Sequence, residues 1–521
     1  MKNRAIHDNS EARNHAEVIA FLRNPASYPG VARSVEVIET HAAMVFLTGH
    51  EAYKIKKAVT FPYLDFDSPD KRRAACEYEL KINQPHAPMI YLDVVKITRE
   101  AGGQLAINGP GEPVEWVLHM RRFPDSSLLA DAVRTGAVET GLLDRLADEI
   151  GRYHAAAPVV QDHNAADRMS AIVDELCAAF RDAAGFLPST EVAHFESSAN
   201  AALRNCRELL NERAVHGHVR RCHGDLHLSN IVVLNDQPVL FDAIEFNDDI
   251  ARVDVLYDLA FLLMDLGHLN ECGHANRILN RYLSRSGNDE QVAGLRAMPL
   301  FMSCRAGVRA MVAATRMHQS LETDQSSAIA VEAGSYFLEA VNFLEPQPPK
   351  LVAIGGLSGT GKTTVARALA PRIARCPGAL HLRTDVERKR MFGVGETTRL
   401  PEGAYTRKIS DAIYAKVFEK ATTALRAGHS VIVDAVYLDQ AERSVIEQVA
   451  VNTGASFTGL WLKADEEFLV RRVSERHGDA SDATADVVRY QLKRPTGPIN
   501  WRIINAEGVL EKTIERSYNA L

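Results

Sequence analysis

The sequence predicts an α/β chain of two unlike parts: an N-terminal bilobal part, strand-rich and then helical, and a C-terminal part built around a parallel sheet. Three observations predict it. Residues 31–120 carry short alternating or β-branched runs, whereas 125–213 follow helical periodicity. After residue 350, apolar strands alternate with helices, the pattern of a sheet covered on both faces. Between them, "FLEPQPPKLVAIGG" (343–356) ends a helical run at Pro346, Pro348 and Pro349 and then opens a strand. The boundary is placed near 346, giving parts 1–345 and 346–521. The first has a small lobe over about 25–120 and a large lobe over about 121–345.

The elements follow in order. In 31–60, "TGHE" separates two strand-like runs and predicts a hairpin. "PDKRRAACEYELKINQ" reads as a helix. "PMIYLDVVKITRE", "QLAING" and "VEWVLHMRRF" read as strands. Helices are expected over 136–157, 167–185 and 191–213. "RCHGDLHLSN" (221–230) then interrupts the helical lobe. "VVLNDQPVLFDAIEF" supplies a strand, a turn at Asn235–Asp236 and a second strand, which returns Asp242 beside Asn230. In the second part, strand 351–355 leads to helix 362–374. "HSVIVDAVYL" and "SFTGLWLKA" are strands, with "AERSVIEQVAVN" a helix between them. No internal repeat relates the two parts.

Composition narrows the function. The net charge of −7 gives no general attraction to nucleic acid. No apolar run reaches the roughly 20 residues needed to cross a bilayer, and the N-terminus shows no apolar signal segment. The seven cysteines are scattered without a CxxC pair, so reduced thiols and a cytoplasmic location are expected. Oligomeric state is not readable.

"HGDLHLSN" admits more than one reading. His223 and His227 stand four apart and suit a metal site or a polar turn, although the glutamate of HExxH is missing. With Asp242 returned beside Asn230, an acid and an amide oxygen suit magnesium on phosphates. Asp225, on the same loop, can accept a hydroxyl proton. Lys54, in "EAYKIKKAV", shares a strand face with Lys56 and can reach phosphate. Glu77 and Glu79 are both candidates to hold it.

These residues resemble those of the aminoglycoside phosphotransferase-like kinases, relatives of the protein kinases that phosphorylate small molecules. The resemblance covers residues 20 to about 340. It rests on "HGDLHLSN" as catalytic loop, "LFDAIEF" as magnesium segment and "RVDVLYDLAFLL" as the helix that follows. It implies a protein-kinase-like bilobal fold with Asp225 as base, Asn230 and Asp242 on magnesium, and Lys54 on phosphate. "WVLHMRRF" would join the lobes beside adenine. Two departures stand out. Ala243 and Ile244 follow Asp242 where an aromatic is common. "IETHAAMVF" lacks a glycine-rich loop, which leaves Thr40 and the backbone around His41–Ala43 to cover phosphate.

In the second part, "GLSGTGKT" (356–363) fits GxxxxGK[ST] between a strand and a helix. Gly356, Gly359, Thr360, Gly361, Lys362, Thr363 and Thr364 form this stretch. Glycines let the backbone N–H groups converge on phosphate, Lys362 reaches the β- and γ-phosphates, and the Thr363 hydroxyl suits magnesium. Asp434 ends an apolar strand, the place of a magnesium-associated acid or a helix cap. Segment 350–521 resembles the small P-loop kinases of the gluconate-kinase, zeta-toxin and polynucleotide-kinase sort. It implies a P-loop NTPase fold, with Asp385 acting at the acceptor, Arg388 binding it, and Arg472 and Arg476 on a closing lid. "HGDASDAT" reads as the lid's flexible turn. No NKxD-like motif is present, so ATP with Mg2+ is the expected nucleotide.

The expectation is an ATP-dependent small-molecule kinase that phosphorylates a hydroxyl, with two nucleotide sites. One alternative makes one part catalytic and the other a nucleotide-binding regulator. Another gives the C-terminal part polynucleotide-kinase-like or toxin-like activity, against which the charge balance speaks.

Overall fold

A computed structural model describes residues 2–28, 34–40, 42–61, 64–161, 164–183, 187–287, 289–319, 323–475 and 480–521. In chain order the strands are β1 (Val35–Glu39), β2 (Ala43–Thr48), β3 (Glu51–Lys56), β4 (Thr60–Phe61), β5 (Leu64–Asp65), β6 (Tyr91–Arg99), β7 (Leu105–Ile107), β8 (Glu112–Arg121), β9 (Val219–Arg221), β10 (Ile231–Leu234), β11 (Gln237–Leu240), β12 (Arg252–Asp254), β13 (Lys350–Gly356), β14 (Leu380–Arg383), β15 (Val431–Asp434), β16 (Ser456–Lys463) and β17 (Arg502–Asn505). The helices are α1 (Lys2–Arg23), α2 (Pro69–Asn83), α3 (Leu129–Arg134), α4 (Thr140–Ala156), α5 (Ala165–Asp182), α6 (Ser189–Val215), α7 (Asp248–Ala251), α8 (Val255–His268), α9 (Cys272–Ser286), α10 (Asp289–Gly294), α11 (Met298–Gln319), α12 (Thr323–Leu344), α13 (Lys362–Ile373), α14 (Thr384–Met391), α15 (Arg407–Arg426), α16 (Gln440–Thr453), α17 (Glu466–Ser474), α18 (Ala485–Lys493) and α19 (Leu510–Tyr518). They divide into two compact units, 1–160 with 219–258, and 161–218 with 259–521.

The first unit is organised by an antiparallel sheet of order β1-β2-β3-β8-β6-β7, the sheet of a protein-kinase-like bilobal fold. β2 and β3 are joined by Gly49–His50, and Gly49 takes the positive φ of +49° that such a tight hairpin turn requires. The register sets Lys54 opposite Val45 on β2 and Leu118 on β8. A second hairpin, β10–β11, turns at Asn235 and Asp236, both at positive φ. Its Val232 and Val239 pack with Leu47, Cys76, Tyr91 and Leu118, so burial of apolar surface fixes the hairpin against the sheet. "RVDVLYDLAFLL" is helical only from Val255. Its first three residues form β12, which pairs with β9. The helix expected over 136–157 begins at Thr140, because the chain turns through Gly136 at φ +67° after α3.

The second unit holds the helices α5, α6 and α9–α12 and a parallel sheet of order β14-β15-β13-β16-β17, the sheet of a P-loop NTPase fold. Val352, Ile354, Val365, Leu369, Ile432 and Leu460 form its apolar core. α16 opens with a reciprocal capping box between Asp439 and Glu442. The cysteine expectation is corrected here. Cys272, the first residue of α9, is disulfide-bonded to Cys376, with Cα atoms 5.4 Å apart. Residues 104 apart in sequence are brought together by packing that Cys spacing does not encode. Cys76, Cys177, Cys206, Cys222 and Cys304 are buried and outside this disulfide. Among the described residues no helix is long and apolar enough to cross a membrane.

Candidate active sites

The first site lies within the first unit. Lys54 Nζ contacts Glu79 Oε1 at 2.8 Å and Asp242 Oδ1 at 2.7 Å. Glu79, fully buried on α2, gives its other oxygen to Lys56 at 2.5 Å, and Lys56 also pairs with Glu245. Glu77 instead faces solvent and pairs with Arg73 at 2.8 Å. Burial alone would deprotonate Lys54, yet the charges of Asp242, Glu79 and Glu245 hold its pKa well above the ordinary lysine value. Burial likewise opposes ionisation of Asp242, and the Lys54 charge and hydrogen bond override it, so its carboxyl is held low. Burial raises the Glu245 pKa against the pull of Lys56. Two lysines thus face three carboxylates, a balance that favours a further cation.

The residues of "HGDLHLSN" converge on the same place. Asn230 Nδ2 donates to the Asp225 carbonyl and to its Oδ2, both at 2.9 Å. Asn230 O accepts the Phe241 N–H at 3.1 Å, which sets Asp242 next to the loop. Asp242 has φ +61° and its N–H donates to the Tyr91 hydroxyl at 3.0 Å. Ala243, buried, donates its N–H to Asn83 Oδ1 at 2.8 Å, and Ile244 donates to the His223 carbonyl at 3.0 Å. The two residues that depart from the family pattern therefore lock the segment after Asp242 to α2 and to the loop. Gly224 takes φ +83°, which a side chain would strain, and a Cβ there would also crowd Ile244 Cδ1 at 3.2 Å. His223 is buried, with Nε2 2.9 Å from the Phe241 carbonyl, and His227 Nε2 lies 3.3 Å from Asp225 Oδ2. Each serves the loop's own geometry. Among the described residues, the one His/Cys/Asp/Glu group close enough for a metal is His154, Cys222 and Asp258, which contains neither. Thr40 closes the β1–β2 turn on itself, its Oγ1 accepting the Ala43 N–H at 3.0 Å. His41 lies outside the described residues.

The second site lies within the second unit. Gly359 and Gly361 have φ +90° and +87°, and a Cβ on Gly359 would stand 2.7 Å from the Leu469 carbonyl. Gly356, at φ +138°, lies equally close to the Leu462 carbonyl, at 2.5 Å from an added Cβ. Thr360 Oγ1 donates to the Leu357 carbonyl at 2.9 Å, and Lys362 Nζ donates to the same carbonyl at 3.0 Å. Thr363 hydrogen-bonds Asp434 through its side chain, while Thr364 is exposed. Burial would raise the Asp434 pKa, but the His381 hydrogen bond and charge and the Arg383 charge bring it to about 2. Asp385 is raised by burial, opposed chiefly by Arg383, and hydrogen-bonds Ser481. Arg472 lies over the loop: a Cβ on Gly361 would be 3.0 Å from its Nη1. Arg476 lies outside the described residues. Arg388 is buried, donating to the Ala404 carbonyl at 2.7 Å and to Ser410 Oγ at 3.3 Å. Its guanidinium therefore holds the 402–405 turn and stacks 4.8 Å from the Tyr405 ring centre.

Both donor sets are composed of oxygens: the Asn230 amide and Asp242 carboxylate in one, the Thr363 hydroxyl and Asp434 carboxylate in the other. That is the chemistry a magnesium ion takes. The three glycines are needed because the loop backbone passes too close to the Leu462 and Leu469 carbonyls and to Arg472 for a Cβ.

An uncharacterized protein of Mycobacterium tuberculosis H37Rv, Rv2004c, is 30% identical over 493 residues, covering 93% of this chain and 95% of that protein. The chain belongs to the Rv2004c family. A Mycobacterium bovis member, Mb2027c, matches to the same extent. Within this Rv2004c-family chain, the phosphotransferase enzyme family matches residues 107–295 and an AAA domain matches 351–498. It is a two-domain protein with a phosphotransferase-like N-terminal region and a C-terminal ATP-binding P-loop domain, and an ATP-dependent kinase. Among solved structures, a gluconokinase from Sinorhizobium meliloti 1021 is 18% identical, with TM-score 0.25, over 34% of this chain and 93% of that one. A choline/ethanolamine kinase family protein from Mesorhizobium loti is 13% identical, with TM-score 0.37, over 63% and 98%.

Several residues of this family member escape sequence reasoning. Glu245 and Lys56 complete the buried charge cluster, and only the even spacing of Lys54 and Lys56 hinted at it. Gln491 clamps the phosphate loop, accepting the Ser358 N–H at 2.9 Å and donating to Ser358 Oγ at 3.1 Å. Nothing in "VVRYQLK" signals this. Of the turn expected to be flexible, His477–Asp479 lie outside the described residues, and the rest is anchored. Asp482 accepts Lys389 Nζ and the Tyr405 hydroxyl at 2.5 Å each, and the Leu400 N–H at 3.0 Å.

Proposed function

We propose that this kinase moves the γ-phosphoryl of Mg-ATP to a hydroxyl of a small molecule at two separate sites, with the boundary between catalytic modules near residue 346. In the first, Lys54 orients phosphate while Glu79 holds Lys54. Asp225 takes the proton of the attacking hydroxyl as the new P–O bond forms and the bond to ADP breaks. Asn230 and Asp242 would hold magnesium. In the second, Thr363 and Asp434 would hold it, the loop N–H groups and Lys362 bind phosphate, Asp385 faces the acceptor, and Arg472 closes over the loop. Magnesium supplies charge neutralisation on the triphosphate at both places. Arg388 supports the acceptor side by fixing the 402–405 turn.

The observation that carries this reading is that neither acid pair is degraded: Asp242 sits on Lys54, and Asp434 sits on Thr363. The phosphate acceptor is a small hydroxyl compound rather than nucleic acid or membrane, in keeping with the net negative charge. A cytoplasmic location belongs to the same reading. The test is ADP release over a panel of sugars, polyols, amino alcohols and hydroxy acids. Asp225→Ala and Lys362→Ala should abolish different activities, each by about 10²–10⁴-fold. If one substitution removed every activity, a single catalytic domain with a regulatory partner would replace this reading.

A further inference from the structure

β14 is an edge strand, and its outer backbone groups have no strand beside them in the sheet. Leu380 N–H points inward to the Ser430 carbonyl at 2.9 Å, so the Ala379 carbonyl and His381 N–H face outward. α9 satisfies them with two asparagines. Asn280 Oδ1 accepts the His381 N–H at 2.6 Å, and its Nδ2 donates to the Ala379 carbonyl at 3.2 Å. Asn276, buried, donates to the Pro377 and Ala379 carbonyls at 2.7 and 2.9 Å. The amides imitate a neighbouring strand for the Ala379 carbonyl and the His381 N–H. Arg281 adds an ion pair to Glu396 at 2.9 Å. This set of contacts fixes where His381 stands. Its Nε2 lies 3.0 Å from Asp434 Oδ2, with both side chains 7% exposed. Asp434 also takes the Thr363 hydrogen bond.

We propose that His381 is a positioning residue for the metal-side acid Asp434, and that Asn280 of α9 holds His381 in place. The inference rests on the phosphate-site reading of the second unit. An N–H at Nε2 fixes one carboxylate oxygen and leaves the other for the cation. Helix α9 precedes the seam near 346, so a segment outside the P-loop region completes that region's metal side.

The experiment uses the full chain carrying Asp242→Asn, which silences the first site. ATP affinity is measured by calorimetry across a magnesium titration. His381→Ala should raise the magnesium concentration at half-maximal effect by about 10–100-fold, the usual cost of losing an outer partner of a metal ligand. Affinity for ATP without magnesium should not change. His381→Gln places an amide N–H near the same position and should recover most of the shift. Asn280→Ala should give a smaller shift in the same direction and faster hydrogen exchange at the His381 amide, a readout that needs no ligand. If His381→Ala does not fold, the Gln and Asn280 variants decide. An unchanged magnesium dependence in folded His381→Ala, or in Asn280→Ala with its amide exposed, overturns the inference. Lys362→Ala in the same background is the separate control: if it leaves ATP binding intact, the phosphate-site reading itself has failed.

Discussion

Lys54 and Lys56 stand two residues apart on β3 and share one buried carboxylate, Glu79. Removing Lys54 leaves Glu79 a partner, whereas removing Glu79 strips a shared anion from two buried ammonium groups. Glu79→Ala is therefore expected to cost about 3–5 kcal/mol in urea unfolding, and Lys54→Met clearly less. Equal losses would show that the cluster does not act as described. The sequence left Glu77 and Glu79 open because both lie on one helix. Two residues along a helix is more than half a turn, so one faces the sheet and the other water. Only the packing of α2 on the sheet says which. His429 gives a pH signature. Burial, opposed by the Gly378 backbone, lowers its pKa from 6.5 to about 4. The unfolded chain then binds the proton more readily. The contribution is complete above about 6.5 and is lost as pH falls toward 4. The melting temperature should drop over that window, and His429→Gln should flatten the drop.

At the scale of elements, the phosphate loop was legible because its chemistry demands a fixed local string. Gly359 carries both a positive φ and a close approach to the Leu469 carbonyl. Gly359→Ala is expected to cost about 1–3 kcal/mol of backbone strain and to abolish ATP binding in the second unit while sparing the first. Calorimetry on the Asp242→Asn background would measure the loss, and on the otherwise unaltered chain the binding left at the first site; retained affinity in the former would contradict the cradle. The β10–β11 hairpin was legible for a similar reason: Asn235–Asp236 between two apolar runs encodes the turn, and the turn sets Asp242 beside Asn230. The described part of 477–484 was not. "HGDASDAT" has the composition of a mobile loop, yet Asp482 is held by three donors from distant elements. Likewise β12 is a strand and not the start of α8, because β9 offers its backbone groups a partner.

For the whole molecule, the net charge of −7 argues against a polyanionic acceptor. The full chain should therefore fail to label oligonucleotide ends with radioactive ATP, and efficient labelling would move the acceptor to nucleic acid. The prolines at 346–349 mark a break in local structure, whereas the compact units follow contacts, and helices α5, α6 and α9–α12 fall with the P-loop sheet. By itself the sequence determined the two fold classes, the order of their elements, the glycine cradle and the acids at strand ends, all of which depend on periodicity or on residues close along the chain. The tertiary structure alone decided the partner of Lys54, the cluster with Glu245, the Cys272–Cys376 bond and the asparagines that hold β14. Those rest on residues up to 189 positions apart, as Lys56 and Glu245 are. Their meeting is set by how buried faces pack, and no local pattern records that.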